Sequence, residues 1–234
     1  MRFRDHKIII SPEYSEVTDR IKDLGVELVY TKPINNLIPY ERFHADMQAL
    51  AIGDTVFISK SSLNLAESVD LSTSQLVMCN ELERNYPKNV ALNAALVGNN
   101  LLCKSDSIAV EVKDYCKIND INVVDTKQGY AKCSALVLNS NALITSDVSI
   151  SKSAAQKNID VLLINEGHIY LDDNTCGFIG GASGVVGDTV MFFGDIMTHP
   201  DCDKIVEYIK QNGMEYVSLC GGVLRDIGGL VLIK

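Results

Sequence analysis

The sequence predicts an α/β fold, a five-bladed β/α-propeller built from five β-β-α-β units. Three observations predict it. Two apolar runs joined by a tight turn recur along the chain, most plainly at residues 46–60, 131–147 and 175–195, with a weaker copy at 89–106. A helix and a single strand follow each of these hairpins. The last apolar strand, 229–233, lacks a hairpin partner unless it pairs with residues 7–10 and so closes the ring.

The elements follow one order along the chain. Helices are predicted at residues 11–24, 62–69, 107–117, 149–158 and 200–212. The strands after them are predicted at residues 26–30, 75–79, 121–125, 160–164 and 215–219. The hairpins are predicted at residues 46–52 with 55–59, 90–97 with 101–104, 133–138 with 142–145, and 177–186 with 189–193. Ser11-Pro12 is typical of a helix start, Gly213 of a helix end, and Gly53-Asp54 of a hairpin turn.

Each unit of roughly 45 residues is too small to bury its apolar face alone, so neighbouring units must stack around one axis. The alternative is an ordinary doubly wound sheet, which favours near-continuous Val/Ile strands alternating with helices. Here three strands separate successive helices, which favours the ring. We therefore expect residues 1–234 to form a single domain. The loop at 31–43, with two prolines, is expected to be irregular and exposed.

Composition excludes several classes of function. A formal net charge of −9 argues against nucleic-acid binding, which needs a cationic face. No apolar run reaches the roughly 20 residues of a membrane span, and the start of the chain lacks a signal-peptide core. These features predict a cytoplasmic protein without a membrane partner. The seven cysteines contain no Cys-x-x-Cys pair and are expected to be free thiols. No cofactor is predicted, and self-association into a homo-oligomer is left open.

Two segments resemble a known superfamily. Residues 43–54, Phe-His-Ala-Asp-Met-Gln-Ala-Leu-Ala-Ile-Gly-Asp, are similar to the first unit of the pentein, or guanidino-group-modifying, enzymes. Residues 221–226, Gly-Gly-Val-Leu-Arg-Asp, resemble the segment in which those enzymes place a nucleophilic cysteine. The superfamily includes arginine deiminases, agmatine deiminases, dimethylargininases, amidinotransferases and a non-catalytic ribosome anti-association factor. The chain thus resembles a divergent pentein, and its layout agrees with that fold over nearly its whole length.

The resemblance also implies departures from the family's Cys-His machinery. The nucleophile position falls near Asp226, and the catalytic histidine position falls at Asn174-Thr175-Cys176-Gly177. The family's acidic stretch in the third unit is replaced by residues 129–133, Gly-Tyr-Ala-Lys-Cys. Only Asp46 matches cleanly. The usual Cys-His machinery is therefore predicted to be missing.

In such a ring the starts of the inner strands converge on one mouth, where polar groups form the candidate site. Asp46, Cys176 and Asp226 are the predicted catalytic residues. The predicted substrate-binding residues are His44, Lys132, Cys133 and Arg225. The aspartates can grip a cation or act as bases, whereas simple charge compensation within the pore is the alternative for Asp226.

Plainer structural roles compete at the other candidates. Cys133, Cys176 and Cys220 are each expected more often to be inert thiols than nucleophiles. The glycine-rich segment 177–184 can cradle an anion, although close backbone packing near the axis explains it better. The segment 199–203, His-Pro-Asp-Cys-Asp, is typical of a helix start rather than a metal site. No metal site is predicted.

Two functions remain open from the sequence. The first is a binding protein, hydrolase or transferase of the guanidino-group-modifying type, acting on an arginine-like or other cationic amino compound. The second is a non-catalytic ring that binds a macromolecular partner on one face. The sequence leaves open whether the protein is an enzyme.

Overall fold

The computed structural model describes residues 3–173 and 175–234. Asn174, predicted to lie at the start of the fourth hairpin, is outside these residues. In chain order the strands are β1 (Lys7–Ile10), β2 (Glu27–Tyr30), β3 (Ala49–Ile52), β4 (Thr55–Ser59), β5 (Gln75–Cys79), β6 (Ala95–Val97), β7 (Asn100–Cys103), β8 (Asn122–Asp125), β9 (Ala135–Asn139), β10 (Ala142–Thr145), β11 (Asp160–Leu163), β12 (Tyr170–Asp172), β13 (Thr175–Cys176), β14 (Ser183–Val186), β15 (Thr189–Phe192), β16 (Glu215–Ser218) and β17 (Leu230–Ile233).

The α-helices are α1 (Ser15–Asp23), α2 (Ala45–Gln48), α3 (Val110–Ile118), α4 (Ala131–Ser134), α5 (Val148–Ala155) and α6 (Cys202–Gln211). Short 3-10 helices occur at Pro39–Glu41, Lys60–Ser68, Lys88–Val90 and Ile196–Thr198. The protein is therefore an α/β fold, as the sequence predicted.

Most of the strands form small sheets of one repeated design. Over the described residues the three-stranded sheets have the orders β17-β1-β2, β3-β4-β5, β6-β7-β8, β9-β10-β11 and β14-β15-β16. In each sheet the middle strand pairs antiparallel with the first strand and parallel with the third. The two ends of the chain share one sheet, with Lys7 opposite Ile233. The predicted pairing of the terminal strands is therefore present.

A helix connects the two parallel strands of each sheet, and its apolar face packs on that sheet. Val17 and Ile21 are buried on α1, and Ile205 and Ile209 are buried on α6. Asp147 caps α5, because its carboxylate accepts the N–H of Ile150 at 2.8 Å. The predicted start of α1 at Ser11-Pro12 is wrong: the helix begins at Ser15, and the Ser11 hydroxyl instead accepts the N–H of Glu13 in the preceding turn.

The apolar core continues from one sheet to the next. One cluster joins Leu50 and Phe57 of the β3-β4-β5 sheet to Leu101 and Cys103 of the β6-β7-β8 sheet. Another joins Ile144 of the β9-β10-β11 sheet to Phe192 of the β14-β15-β16 sheet. Each unit thus buries its apolar face against its neighbour, which is why the repeat does not stand alone.

Three predictions about local structure need correction. The segment 31–43 is irregular, but it is not exposed throughout, because its residues Ile34 and Leu37 are buried against Met47 and Val90. The predicted loop 165–174 contains β12, which pairs with β13 in a two-stranded sheet. The inner strands are shorter than predicted, because helical turns or irregular backbone occupy the residues before β3, β6, β9 and β14. Apolar content identifies the strands but not the turns that precede them.

Among the described residues, no helix is long and apolar enough to cross a membrane. All seven cysteines are free, as predicted, and only Cys176 among them is exposed.

Candidate functional site

Two one-turn helices position the central side chains of the site. Asp46 lies in α2 and Cys133 in α4, and each helix leads directly into an inner strand. The sequence predicted both residues at strand starts. A helical turn changes where a side chain points, because residues in a strand alternate between the two faces of the sheet. Asp46 and Cys133 are thereby directed toward each other.

Cys133 and Asp46 form a buried hydrogen-bonded pair. The thiol donates to Oδ2 of Asp46, with an Sγ–Oδ2 distance of 2.8 Å. Both side chains are almost completely buried. The other carboxylate oxygen of Asp46, Oδ1, is buried and has no hydrogen-bond partner in the described part of the chain. The pair therefore combines a thiol, an adjacent proton acceptor and an unused acceptor oxygen.

Asn93, which is not among the site residues predicted from the sequence, holds this pair in place. Its side-chain Nδ2 donates to the Cys133 sulfur at 3.1 Å and to the Asp46 carbonyl at 3.3 Å. Its Oδ1 accepts the N–H groups of Lys132 at 2.8 Å and Cys133 at 3.3 Å. Asn93 is completely buried. Nothing in its local sequence marks it, because its partners lie 39 to 47 residues away in the chain.

His44 and Asp226 form the neighbouring part of the site. His44 Nδ1 lies 4.0 Å from Oδ1 of Asp226, and both side chains are buried. Backbone N–H groups of Phe178 and Gly228 donate to the Asp226 carboxylate at 2.9 and 3.0 Å. A Cβ atom at Gly181 would overlap that carboxylate. The glycine-rich segment 177–184 therefore makes room for a buried acid, in agreement with the packing interpretation.

A cavity of about 150 Å³ opens beside these groups. His44, Cys133 and Asp226 contribute to its wall, together with Glu41, Tyr130 and Phe178. Tyr130 stacks between Tyr86 and Phe178, with ring centroids 5.8 and 6.3 Å apart. Asn89 donates to both Glu41 and the Tyr130 hydroxyl, at 3.1 and 2.8 Å. Glu41 is not among the site residues predicted from the sequence, because the segment 31–43 was expected to be an exposed loop.

Burial dominates the electrostatics of the site. It raises the pKa of Asp46 to about 8, and the nearby negative charge of Asp226 adds to that increase. Burial likewise raises the pKa of Glu41 and lowers that of His44, which keeps the imidazole neutral near pH 7. Burial and the carboxyl of Asp46 raise the pKa of the Cys133 thiol well above its usual range. Without a ligand, the site thus favours the thiol and the protonated form of Asp46.

The ligating atoms of His44, Asp46 and Cys133 all lie within 4.8 Å of one another. Imidazole, carboxylate and thiolate are all ligands that Zn²⁺ accepts, so these three residues supply the donor types of a metal site. The predicted absence of Cys-His machinery is corrected to this extent. A cysteine, a histidine and an aspartate do lie together in the structure. The cysteine comes from a position distant in the chain from the other two, so a comparison of short local motifs does not detect them as a group.

The other predicted site residues lie around this centre. Asp46, Asp226, His44 and Cys133 come together. Cys176 lies at the exposed edge of the cavity, where its sulfur is 3.8 Å from the Gly167 carbonyl. The Arg225 guanidinium lies over the rings of Tyr14 and Tyr170, 5.4 and 5.2 Å from their centroids, and does not contribute to the cavity wall.

Lys132 and Cys220 also lie apart from the cavity wall. Lys132 lines a separate channel, whereas its neighbour Cys133 lines the cavity. Cys220 is partly buried against the apolar cluster that contains Ile10 and Phe193. The segment 199–203 leads into α6, as predicted, and the Asp201 carboxylate accepts hydrogen bonds from the N–H of Asn165 and from Lys204.

Comparison with solved structures gives the fold class. The chain is similar to a DDAH from Pseudomonas aeruginosa, solved as a cysteine-to-serine mutant in complex with citrulline, with a TM-score of 0.58, 14% identity and 99% of each chain covered. It is also similar to the N-terminal domain of ArgZ, an arginine dihydrolase from cyanobacteria, with a TM-score of 0.56, 13% identity and 98% of each chain covered.

A third similar structure is the inosamine-phosphate amidinotransferase StrB1 from Streptomyces griseus, with a TM-score of 0.55 and 12% identity, covering 93% of this chain and 78% of that one. These similarities confirm the resemblance seen in the sequence: the chain is a divergent protein with the pentein fold. A search of curated protein sequences gives no match.

The family is defined by a sequence model that matches residues 9–231. The chain belongs to the family of unknown function DUF6873.

Proposed function

We propose that the cavity binds the guanidinium or amidinium group of a small arginine-like or other cationic amino compound. The observation that carries the proposal is a set of buried acids that form no close ion pair with Lys or Arg in the described part of the chain. Glu41, Asp46 and Asp226 are each at most 5% exposed. Within the described residues, none of them has a Lys or Arg nitrogen within the 4.0 Å of an ion pair.

Buried carboxylates are expensive unless a cation compensates them. A planar cation with several N–H donors satisfies this site in two ways. It offers bonds to the carboxylates of Glu41 and Asp226 on the cavity wall, and its faces can stack on Tyr130 or Phe178. Neutral and anionic ligands offer no such compensation.

We further propose that Cys133 reacts with the bound group. The sulfur would form a bond to the central carbon as its proton passes to Asp46, and the electron pair of a C–N π bond would move onto nitrogen. The C–N bond to one amino group would then break, with that amine leaving as it takes the proton from Asp46. The carbon would remain on sulfur as a cationic amidino thioether. Transfer of this group to water describes a hydrolase, and transfer to an amine describes a transferase.

A bound cation would also activate the thiol. Positive charge near Cys133 and Asp46 lowers the pKa of both groups, since an opposite charge favours the ionised form. Cys133 would therefore react faster in the presence of ligand. The predicted catalytic role of Cys176 remains a second proposal, supported by its place at the edge of the cavity.

The same proposal includes the closed five-unit ring. Its support is the pairing of the terminal strands and one channel lined by residues from β3, β9, β14 and β17 and by Ala94 and Leu96 at β6. We place the protein in the cytoplasm, without a nucleic-acid partner, on the acidic composition and free thiols.

A ligand screen tests the proposal. Melting temperature is measured with arginine, agmatine, citrulline and methylated arginines, in parallel with release of ammonia or amine and with intact mass. A ligand at 100 times its Kd should stabilise the fold by about 2.7 kcal/mol. The Glu41→Gln variant should lose this stabilisation, and Cys220→Ser, outside the cavity wall, should keep it.

The outcomes separate binding from catalysis. If amine is released by the wild type but not by Cys133→Ser, the proposed reaction of Cys133 is supported. If Cys133→Ser still releases amine and Cys176→Ser does not, the reaction is assigned to Cys176. Stabilisation without product describes a binding protein. The absence of any shift with every compound would refute a cationic ligand. The same assays in the presence of a metal chelator distinguish activity that depends on a metal bound at His44, Asp46 and Cys133 from activity of the free thiol.

A further inference from the structure

A second opening is lined by Lys132, whereas Cys133, the next residue of α4, lines the cavity described above. It is a channel of about 310 Å³ bordered by residues of several sheets. This volume is at the lower end of the range of small-molecule sites, which is about 300–1,000 Å³. The channel walls are almost entirely Ala, Val and Leu side chains, and among the described residues that line it Lys132 is the one ionisable group.

The channel wall repeats one pattern in all the sheets that contribute to it. In each bordering strand a single apolar residue is accessible while its neighbours along the strand are buried. We call these residues the apolar collar: Ala51 of β3, Leu96 of β6, Val137 of β9, Val185 of β14 and Leu232 of β17. The collar is a concave apolar surface rather than a set of scattered exposed side chains, so it favours binding.

Lys132 determines the sign of the charge that a ligand of this channel should carry. Among the described residues, its ammonium forms no ion pair within 4.0 Å and no side-chain hydrogen bond. Asp46 is close enough to influence it, but that carboxyl is bonded to Cys133 instead. A cation enclosed by apolar walls is costly when unpaired. An anionic group delivered into the channel offsets that cost.

We propose that this channel binds a small amphipathic carboxylate, with its alkyl chain against the apolar collar and its carboxylate on Lys132. An alkyl amine is excluded, because its ammonium would meet that of Lys132. An uncharged alkyl alcohol would fill the collar without compensating the lysine. The site is separate from the acidic cavity, which takes a cation, so the two ligands differ in charge.

Cys133 connects the two sites. Lys132 and Cys133 are adjacent in α4, and both backbone N–H groups are held by Asn93. A carboxylate on Lys132 reduces the positive potential at Cys133 and Asp46. We therefore expect the channel ligand to slow alkylation of Cys133.

Calorimetric titration with hexanoate, octanoate and decanoate tests the site. Affinity should rise about fourfold with each added methylene that the collar covers. Octylamine should not bind, and octanol should bind at least tenfold more weakly than octanoate. Lys132→Gln should remove the difference between octanoate and octanol. Leu232→Asp, at a position that is 41% exposed, should abolish octanoate binding with the melting temperature preserved.

Three results would overturn the proposal: no saturable binding of any carboxylate, equal binding of octylamine, or unchanged octanoate affinity in Leu232→Asp. Sedimentation analysis addresses the competing occupant, a second copy of the chain. Self-association that Leu232→Asp abolishes, without octanoate binding by the wild type, would assign the collar to a dimer interface instead. Alkylation of Cys133 unaffected by bound octanoate would refute the connection between the sites.

Discussion

Asp46 should make the stability of the fold depend on pH in a way that one substitution removes. Burial and the charge of Asp226 raise its folded-state pKa from 3.8 to about 8. Between these values the folded protein binds a proton that the unfolded chain has released. Stability is therefore greatest below the unfolded pKa and is lost as pH rises toward the folded pKa.

The magnitude follows from the width of that window. Each pH unit corresponds to about 1.4 kcal/mol. The shift from 3.8 to about 8 therefore gives about 6 kcal/mol as an upper figure, because relaxation and water entry reduce the cost of a buried charge. Asp46→Asn replaces the carboxyl with a neutral group of the same shape and should not carry this penalty.

Urea unfolding of the wild type and Asp46→Asn between pH 5 and 8, with a reductant present, measures the effect. The unfolding free energy of Asp46→Asn minus that of the wild type should increase by about 1 kcal/mol for each unit by which the pH rises. Asp106→Asn, which changes an exposed aspartate, is the matched control and should leave the pH dependence unaltered. Parallel curves for the wild type and Asp46→Asn would refute the buried-carboxyl argument.

Three further predictions concern residues around the site. Asn93→Ala removes the hydrogen bonds that position Lys132 and Cys133, and should lower the unfolding free energy by about 2–4 kcal/mol in urea titrations; a loss below about 0.5 kcal/mol would contradict that role. Gly181→Ala brings a methyl group against the Asp226 carboxylate and should lower the unfolding free energy by about 1–3 kcal/mol. Gly221→Ala, with open space around it, is the matched control. Equal losses of unfolding free energy in the two variants would argue against the close approach at Gly181. Arg225→Ala loses the contacts with Tyr14 and Tyr170 and should destabilise the fold by about 1 kcal/mol with ligand affinity unchanged; a selective loss of affinity would instead support the predicted substrate-binding role.

The sequence by itself determined the repeat order and the pairing of the chain ends. Alternating apolar runs and turn residues such as Gly53 and Gly187 are local signals, and backbone hydrogen bonding converts them directly into hairpins. The lack of a hairpin partner for the last strand was sufficient to predict its pairing with β1, because an unpaired strand edge is unfavourable. Asp46 and Asp226 were likewise predicted to lie near each other, and the charge of Asp226 contributes to the raised pKa of Asp46.

Only the tertiary structure decided which groups meet Asp46. Cys133 lies 87 residues away from it in the chain, and Asn93, which holds both, lies between them in another unit. Their contact depends on two one-turn helices that direct side chains off the sheets, and on glycines that admit the Asp226 carboxylate. A local pattern specifies the period of an element but carries no information on where its last turn points. The packing between units sets that direction, and with it the chemistry of the site.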